Sequence, residues 1–174
     1  MTTQRCLIVY YSRTGTTRKV AEALSEVLGC DIEEIVEPRS RMGIFGYIRS
    51  AAEARRQSRV AIAEPKRDPA SYDLVIVGTP VWAWSLSSPV RSWLTTMRGR
   101  LPDVALFCTL GGAGGARVLA QMRGIVGKSP RARLVVTAKE MSSGDYRKHV
   151  LAFAKALEPS SVPHNTAPIL EHAA

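Results

Sequence analysis

The chain has 174 residues, enough for one domain that on folding buries about 70% of the surface its unfolded form exposes. Its hydrophobic content of 45% and charged content of 22% are those of a globular protein, and no apolar run approaches the roughly 20 residues that cross a bilayer, which argues against a membrane span. A net charge of +9 favours anionic ligands or partners near the surface.

MTTQRC, at the start, lacks the basic segment and apolar stretch of a secretory signal, so the chain reads as cytoplasmic. LIVYY (Leu7 to Tyr11) reads as the first strand, and Val20, Leu24, Val27 and Leu28 mark the helix after it, which stops at Gly29. CDIEEIV (Cys30 to Val36) is half polar, as suits an edge strand. Gly43 to Gln57 reads as a helix in spite of its glycines, and EPKRDPASYD as a polar loop. LVIVGT (Leu74 to Thr79) is the third strand. Ser88 and Pro89 then read as the N-cap and first turn of a helix whose stripe is Val90, Trp93, Leu94 and Met97. ALFCTL (Ala105 to Leu110) is the fourth strand, followed by a helix on Val118, Leu119, Met122, Ile125 and Val126 that stops at Gly127. RLVVTA (Arg133 to Ala138) is the fifth strand, and Tyr146, Val150, Phe153 and Leu157 mark the last helix. Residues 158–174 carry three prolines and no periodicity, so they read as a tail, laid on the surface or disordered, outside a domain of residues 1–157. The four long apolar runs are continuous rather than alternating, as in strands covered on both faces. With helices between them they predict an α/β fold, a doubly wound five-stranded parallel sheet with helices on both faces.

Cys6, Cys30 and Cys108 are odd in number and widely spaced, which predicts buried free thiols and neither a disulfide nor a zinc site. His149, His164 and His172 read as surface residues. Between residues 39 and 67 eight basic side chains face two acidic ones, the pattern of a solvated basic face.

The first turn, SRTGTT, carries the main functional signal. Ser12, Thr14, Thr16 and Thr17 offer hydroxyls, Arg13 a charge, Gly15 close backbone approach, and the next helix its free amides and positive dipole end. Helix capping alone needs one or two of those hydroxyls, so the turn reads as a phosphate cradle. Other phosphate motifs do not fit. GIVGKS has Met122 where a Walker loop needs its first glycine, and a dinucleotide motif read from Gly112 meets Arg117 at its third glycine. After the third strand, Pro80, Val81, Trp82, Ala83 and Trp84 place two tryptophans in a loop, where they should face something flat. After the fourth, Leu110, Gly111, Gly112 and Gly115 let backbone lie against a ring edge. Such loops sit at the carboxyl end of a parallel sheet, where ligands bind. Together they describe a site for a phosphorylated planar heterocycle.

Here the sequence resembles the flavodoxin-like family, over about Cys6 to Leu157, with Ser12, Thr14, Gly15 and Thr17 on the defining positions of its phosphate loop. The resemblance implies strand order 2-1-3-4-5, non-covalent FMN and a role moving electrons, with Trp82 against the flavin and Trp84 a second wall or a buried anchor. The glycine loop lacks the tyrosine that covers the other ring face in some flavodoxins, which suits a small planar acceptor such as a quinone, with NAD(P)H as donor. A protein redox partner and a homodimer are allowed for, and enzyme against carrier is left open. The flavin does the chemistry, so no side chain is nominated as catalytic, and Tyr10 and Tyr11 read as strand packing.

Charge sets this chain apart from the acidic low-potential carriers. Asp103 is the only acid between Leu74 and Lys139, and Arg13 and Arg18 flank the phosphate turn. A unit charge at about 4 Å is worth about 1 kcal/mol in water and about 4 at an effective dielectric of 20, so basic surroundings should favour the reduced, anionic flavin. The competing reading is a flavin-free domain of this fold whose basic surface binds nucleic acid or an acidic protein. Nucleic acid is disfavoured because the basic segment is not interleaved with aromatics.

Overall fold

The structure is a computed structural model and describes residues 4–38 and 60–158. Among these, β1 (Cys6–Tyr10), α1 (Thr16–Leu28), β2 (Asp31–Glu34), β3 (Leu74–Trp82), β4 (Ser85–Leu86), α2 (Ser88–Met97), β5 (Asp103–Leu110), α3 (Gly115–Val126), β6 (Arg133–Thr137), α4 (Ala138–Ser143) and α5 (Tyr146–Leu157) follow in order. The long strands are parallel in the order β2-β1-β3-β5-β6, and the two-residue β4 pairs antiparallel with the end of β3. Counted over the long strands this is the expected 2-1-3-4-5, with β2 on the edge.

Register explains why the strands read as unbroken apolar runs. Leu7, Val75 and Val104 are partners across β1, β3 and β5 and point to one face, as do Val9, Val77 and Leu106. Their neighbours Ile8, Ile76 and Ala105 point to the other. The first layer packs on Val90, Trp93 and Leu94 of α2 and Val118 and Met122 of α3. The second packs on Val20 and Leu24 of α1 and Val150, Phe153 and Leu157 of α5. Both faces are therefore dry, and an alternating pattern has no use.

Helix ends follow the glycines. Gly29 and Gly127 are left-handed C-caps whose amides return to Ser25 and Arg123. Val27, expected on the inner stripe of α1, is 46% exposed, and Thr17 and Ala21 fill the stripe instead. The N-cap of α2 is Ser87 rather than Ser88, and the Ser87 and Thr79 hydroxyls lie 2.9 Å apart, joining the helix start to β3. The helix expected over 43–57 and the tail from 159 lie outside the described residues. Among the described residues no helix is long and apolar enough to cross a membrane.

Cys6 and Cys30 are joined by a disulfide, against the expectation of three free thiols. Sequence spacing conceals this because the two are brought together by the sheet: Leu7 pairs with Asp31, so the residues just before them face each other, with Cα atoms 4.7 Å apart. Cys108 is free and buried, and burial pushes its thiol up to about 12. Among the described residues no cluster of metal-ligating side chains is present. His149 pairs with Glu140, its Nε2 lying 3.1 Å from Oε1.

Candidate functional site

At the carboxyl ends of β1, β3 and β5 a cavity of about 340 Å³ opens between three loops. The SRTGTT turn contributes Arg13, Thr14, Thr16 and Thr17 to its lining, the end of β3 Pro80, Val81 and Trp82, and the end of β5 Leu110 and Gly111. Nine of the residues picked from the sequence thus meet around one space. Two further lining residues were missed, Thr109 and Ala138. From the sequence both belong to the strands ALFCTL and RLVVTA, yet Thr109 is the penultimate residue of β5 and Ala138 follows the last residue of β6, on the side where ligands bind.

The turn is built as an open helix start. Gly15 sits at φ +89°, and it gives α1 no side-chain cap. The Ser12 hydroxyl accepts the Gly15 amide at 3.1 Å, which shapes the turn but leaves the first amides of α1 without a capping side chain. The Thr17 and Thr109 hydroxyls meet at 2.8 Å in a buried bond that ties the turn to β5. Those of Thr14 and Thr16 have no protein hydrogen-bond partner among the described residues, and both residues line the cavity. Such a helix start attracts an anion through its amides and dipole. Arg18 points its guanidinium at Glu34 instead, at 2.6 and 2.8 Å from the two carboxylate oxygens, so its charge is locally balanced. Burial pushes the Tyr10 phenol up, with a hydrogen bond to Arg18 pulling the other way, so Tyr10 stays neutral near pH 7.

Beyond β3 the chain makes a tight hairpin. Trp82 pairs with Ser85, leaving Ala83 and Trp84 as a two-residue turn with φ of 47° and 58°. Turns of this kind are normally made by Asn and Gly, and each residue so held costs of the order of 1–3 kcal/mol. Trp82 is 6% exposed, with Tyr11 against it edge to face at a centroid distance of 5.5 Å, so it is a wall rooted in the core. Trp84 is 62% exposed and hence not a buried anchor. The hairpin is braced from beneath: Gln121 Oε1 accepts the Leu86 amide at 2.9 Å and the Arg91 guanidinium at 3.2 Å.

The glycine loop divides by role. Gly111 and Gly112 would carry a Cβ into open space. Gly115 is buried at the first residue of α3, where a Cβ would lie 2.8 Å from Val135, so packing accounts for it. Gly114, not singled out from the sequence, sits at φ +105° with the Trp84 Cα 3.0 Å from where its Cβ would be. The glycine loop and the tryptophan hairpin therefore touch there.

Ala138 opens α4, a helix the sequence reading passed over although it carries a Thr-x-x-Glu capping box. The Thr137 amide and hydroxyl donate to Glu140 Oε2 at 2.7 and 2.8 Å, which holds the Glu140 carboxyl below the usual range. A carboxyl depressed in the folded state stabilises it above the ordinary glutamate range, and that support is lost as pH falls through its own lowered value. The protection of the amides of residues 138–143, taken relative to the intrinsic exchange rate at each pH, should fall in acid more steeply in the parent than in Thr137→Ala, which should be weakly protected at every pH.

The flavodoxin family model matches residues 5–135. No curated protein matches the chain. Among solved structures, the chain is similar to a flavoprotein in complex with FMN from Lactobacillus acidophilus NCFM, with 22% identity over 80% of this chain and 97% of that one and a TM-score of 0.66. It is also similar to the flavodoxin WrbA-like protein of Agrobacterium tumefaciens, with 17% identity, 88% and 94% coverage and a TM-score of 0.55. For two-electron reduced flavodoxin of Megasphaera elsdenii the values are 20% identity, 87% and 98% coverage and 0.53. With the family model covering most of its length and these folds alike, the chain belongs to the flavodoxin family.

Proposed function

We propose that the cavity holds FMN and that the protein passes electrons between this flavin and a small planar acceptor such as a quinone, drawing on NAD(P)H or a protein donor in the cytoplasm. The observation that carries the reading is the meeting of an uncapped helix start, a tryptophan hairpin and a glycine loop around one cavity. The residues fit the group: the volume of about 340 Å³ lies within the usual range for cofactor sites, about 300–1,000 Å³. The amides of Thr16 and Thr17, with the Thr14 and Thr16 hydroxyls, would take the phosphate. Trp82 and Trp84 would wall the ring, and the backbone of Leu110 to Gly112 would meet its edge. When bound, FMN supplies the electron chemistry. What the chain supplies is position, exclusion of water by Trp82 and Pro80, and charge.

Purification with excess flavin should yield yellow protein that releases FMN on denaturation. Turnover of NAD(P)H with a quinone by the protein alone would make it a reductase, and dependence on an added reductase a carrier. A colourless preparation that refuses flavin and binds DNA in low salt would overturn the reading in favour of the basic-surface alternative.

Two further results are expected. Trp84→Gly should stabilise the fold by about 1 kcal/mol by relieving the left-handed turn, raising the thermal midpoint by about 2–4 °C, yet weaken FMN binding by about tenfold or more, since an aromatic stack is worth about 1–3 kcal/mol. Opposite signs in calorimetry and in a flavin titration mark a residue kept for the ligand; equal signs would remove Trp84 from the site. In a spectroelectrochemical titration the flavin should be reduced at a higher potential than in acidic carriers, because Arg13 lines the cavity and Asp103 is the only acid from Leu74 to Lys139. The Glu34 pairing of Arg18 makes the rise smaller than the sequence alone suggests. A potential as low as theirs would defeat the charge reading.

A further inference from the structure

We propose that Cys6 and Cys30 form a thiol–disulfide exchange site for small anionic thiols of the glutathione class, at the end of the sheet opposite the flavin cavity. The pair joins the first residue of β1 to the residue before β2. A second cavity, of about 400 Å³, opens there on Gln4, Arg5, Cys6, Gly29, Asp31 and Tyr72.

The two sulfurs are not equivalent. Cys30 is buried at 6% exposure, whereas Cys6 is half-buried and lines the cavity. Gly29, beside them, lines the same cavity as Cys6 and has nothing within 4 Å of where a Cβ would stand. Arg5 lines the same wall and suits the carboxylates of an incoming thiol. The competing charge there, Asp31, is held by the Tyr72 hydroxyl at 2.7 Å and lies 3.6 Å from Arg67. Access to one sulfur of a cystine is what exchange requires. The third cysteine has none: Cys108 is sealed in the core as a neutral thiol.

In the exchange, an external thiolate attacks Cys6 Sγ, the Cys6–Cys30 bond breaks, and Cys30 leaves as a thiolate that takes a proton from water. A second external thiol attacks the small-thiol sulfur of the mixed disulfide, releasing the Cys6 thiol and a small disulfide. Two electrons pass from the two external thiols to the cystine, and the reverse sequence restores the bond. The closed bond encloses β1, the SRTGTT turn and α1, so oxidation restrains the unit that carries the phosphate cradle.

The test uses the full chain loaded with FMN, equilibrated across a series of reduced to oxidised glutathione, quenched in acid, alkylated and read by peptide mass. Cys6 and Cys30 should gain label together in one two-electron transition inside the series, with Cys108 labelled only after denaturation. The thermal midpoint should fall by several degrees at the reduced end, and Cys6→Ser/Cys30→Ser should show the lower midpoint at every ratio. Labelling of both at every ratio would mean the bond does not close, and labelling of neither before denaturation would mean a permanent cross-link. Either result, or independent labelling, overturns the proposal. The wild-type labelling series decides the matter even where the double variant folds poorly.

Discussion

A Gly15→Val variant is expected to bind FMN about tenfold or more weakly while keeping the circular dichroism of the parent. Gly15 holds φ +89°, where an L-residue costs about 1–2 kcal/mol and a β-branched one more. Each 1.4 kcal/mol is a factor of ten in binding. Nothing lies within 4 Å of where the Cβ would be, so the protein itself offers no clash and the effect has to come from the backbone. Valine should be accommodated by moving the turn out of the left-handed region, which swings the amides of Thr16 and Thr17 off the phosphate and loosens the Ser12 bond to Gly15. A comparison of three substitutions separates strain from bulk. Asn tolerates this region and should keep most of the affinity, whereas Ala, smaller but strained, should lose it nearly as Val does. If Ala binds like the parent and Asn does not, side-chain size toward the ligand is the cause and the strain account fails. Flavin fluorescence titration reads all three.

What could be read before the structure follows the physics of burial. A sheet covered on both faces writes itself as LIVYY, LVIVGT, ALFCTL and RLVVTA, and helices on such a sheet write themselves as stripes, so the long strands and the helices after them were legible among the described residues, while the strand order came from the family resemblance. The SRTGTT turn was legible because its chemistry is local. Features that depend on register were not. The Cys6–Cys30 bond follows only once Leu7 is known to face Asp31. The hairpin at Ala83 and Trp84 carries no Asn-Gly signal, since its residues are held against their preference. Thr109 and Ala138 look like strand residues until the strand ends are placed. Gly114 differs from its neighbours only by what it touches, which is Trp84. The capping box of α4 is written in Thr137 and Glu140, but the helix it starts is six residues long and buries none of them, so it has no apolar stripe to mark it.

The largest loss of stability is expected from Gly78→Ala, a change that in most strands would be neutral or mildly favourable. Gly78 is the β3 partner of Phe107 on β5, and the ring of Phe107 lies over it with no exposed surface. A Cβ at Gly78 would stand 2.0, 2.4 and 2.6 Å from three ring carbons. Removing a glycine gains about 0.5–1 kcal/mol of backbone entropy, but overpacking a closed core costs about 1–3 kcal/mol or more, and the contacts are short enough that the upper end should apply. For a chain of this size each kcal/mol moves the thermal midpoint by about 2–4 °C, so a net loss of about 2–2.5 kcal/mol should lower it by about 4–10 °C in calorimetry. The ring cannot simply turn aside, because Ile76, Leu134 and Val136 belong to the same packed layer. Phe107→Leu removes the ring and should be destabilising alone, through the space it leaves. Combined with Gly78→Ala it should cost clearly less than the two changes summed, by about 1 kcal/mol or more, as expected for residues in contact. The site should register the strain as well, since the Tyr11 amide donates to the Gly78 carbonyl at 3.2 Å and Thr109 stands two residues beyond Phe107. Gly78→Ala should thus loosen the Thr17 to Thr109 bond and weaken flavin binding, and the double variant should recover both properties in part. Strict additivity of the two substitutions would show that the Cβ and the ring do not meet, and that glycine at this position serves something other than room for Phe107.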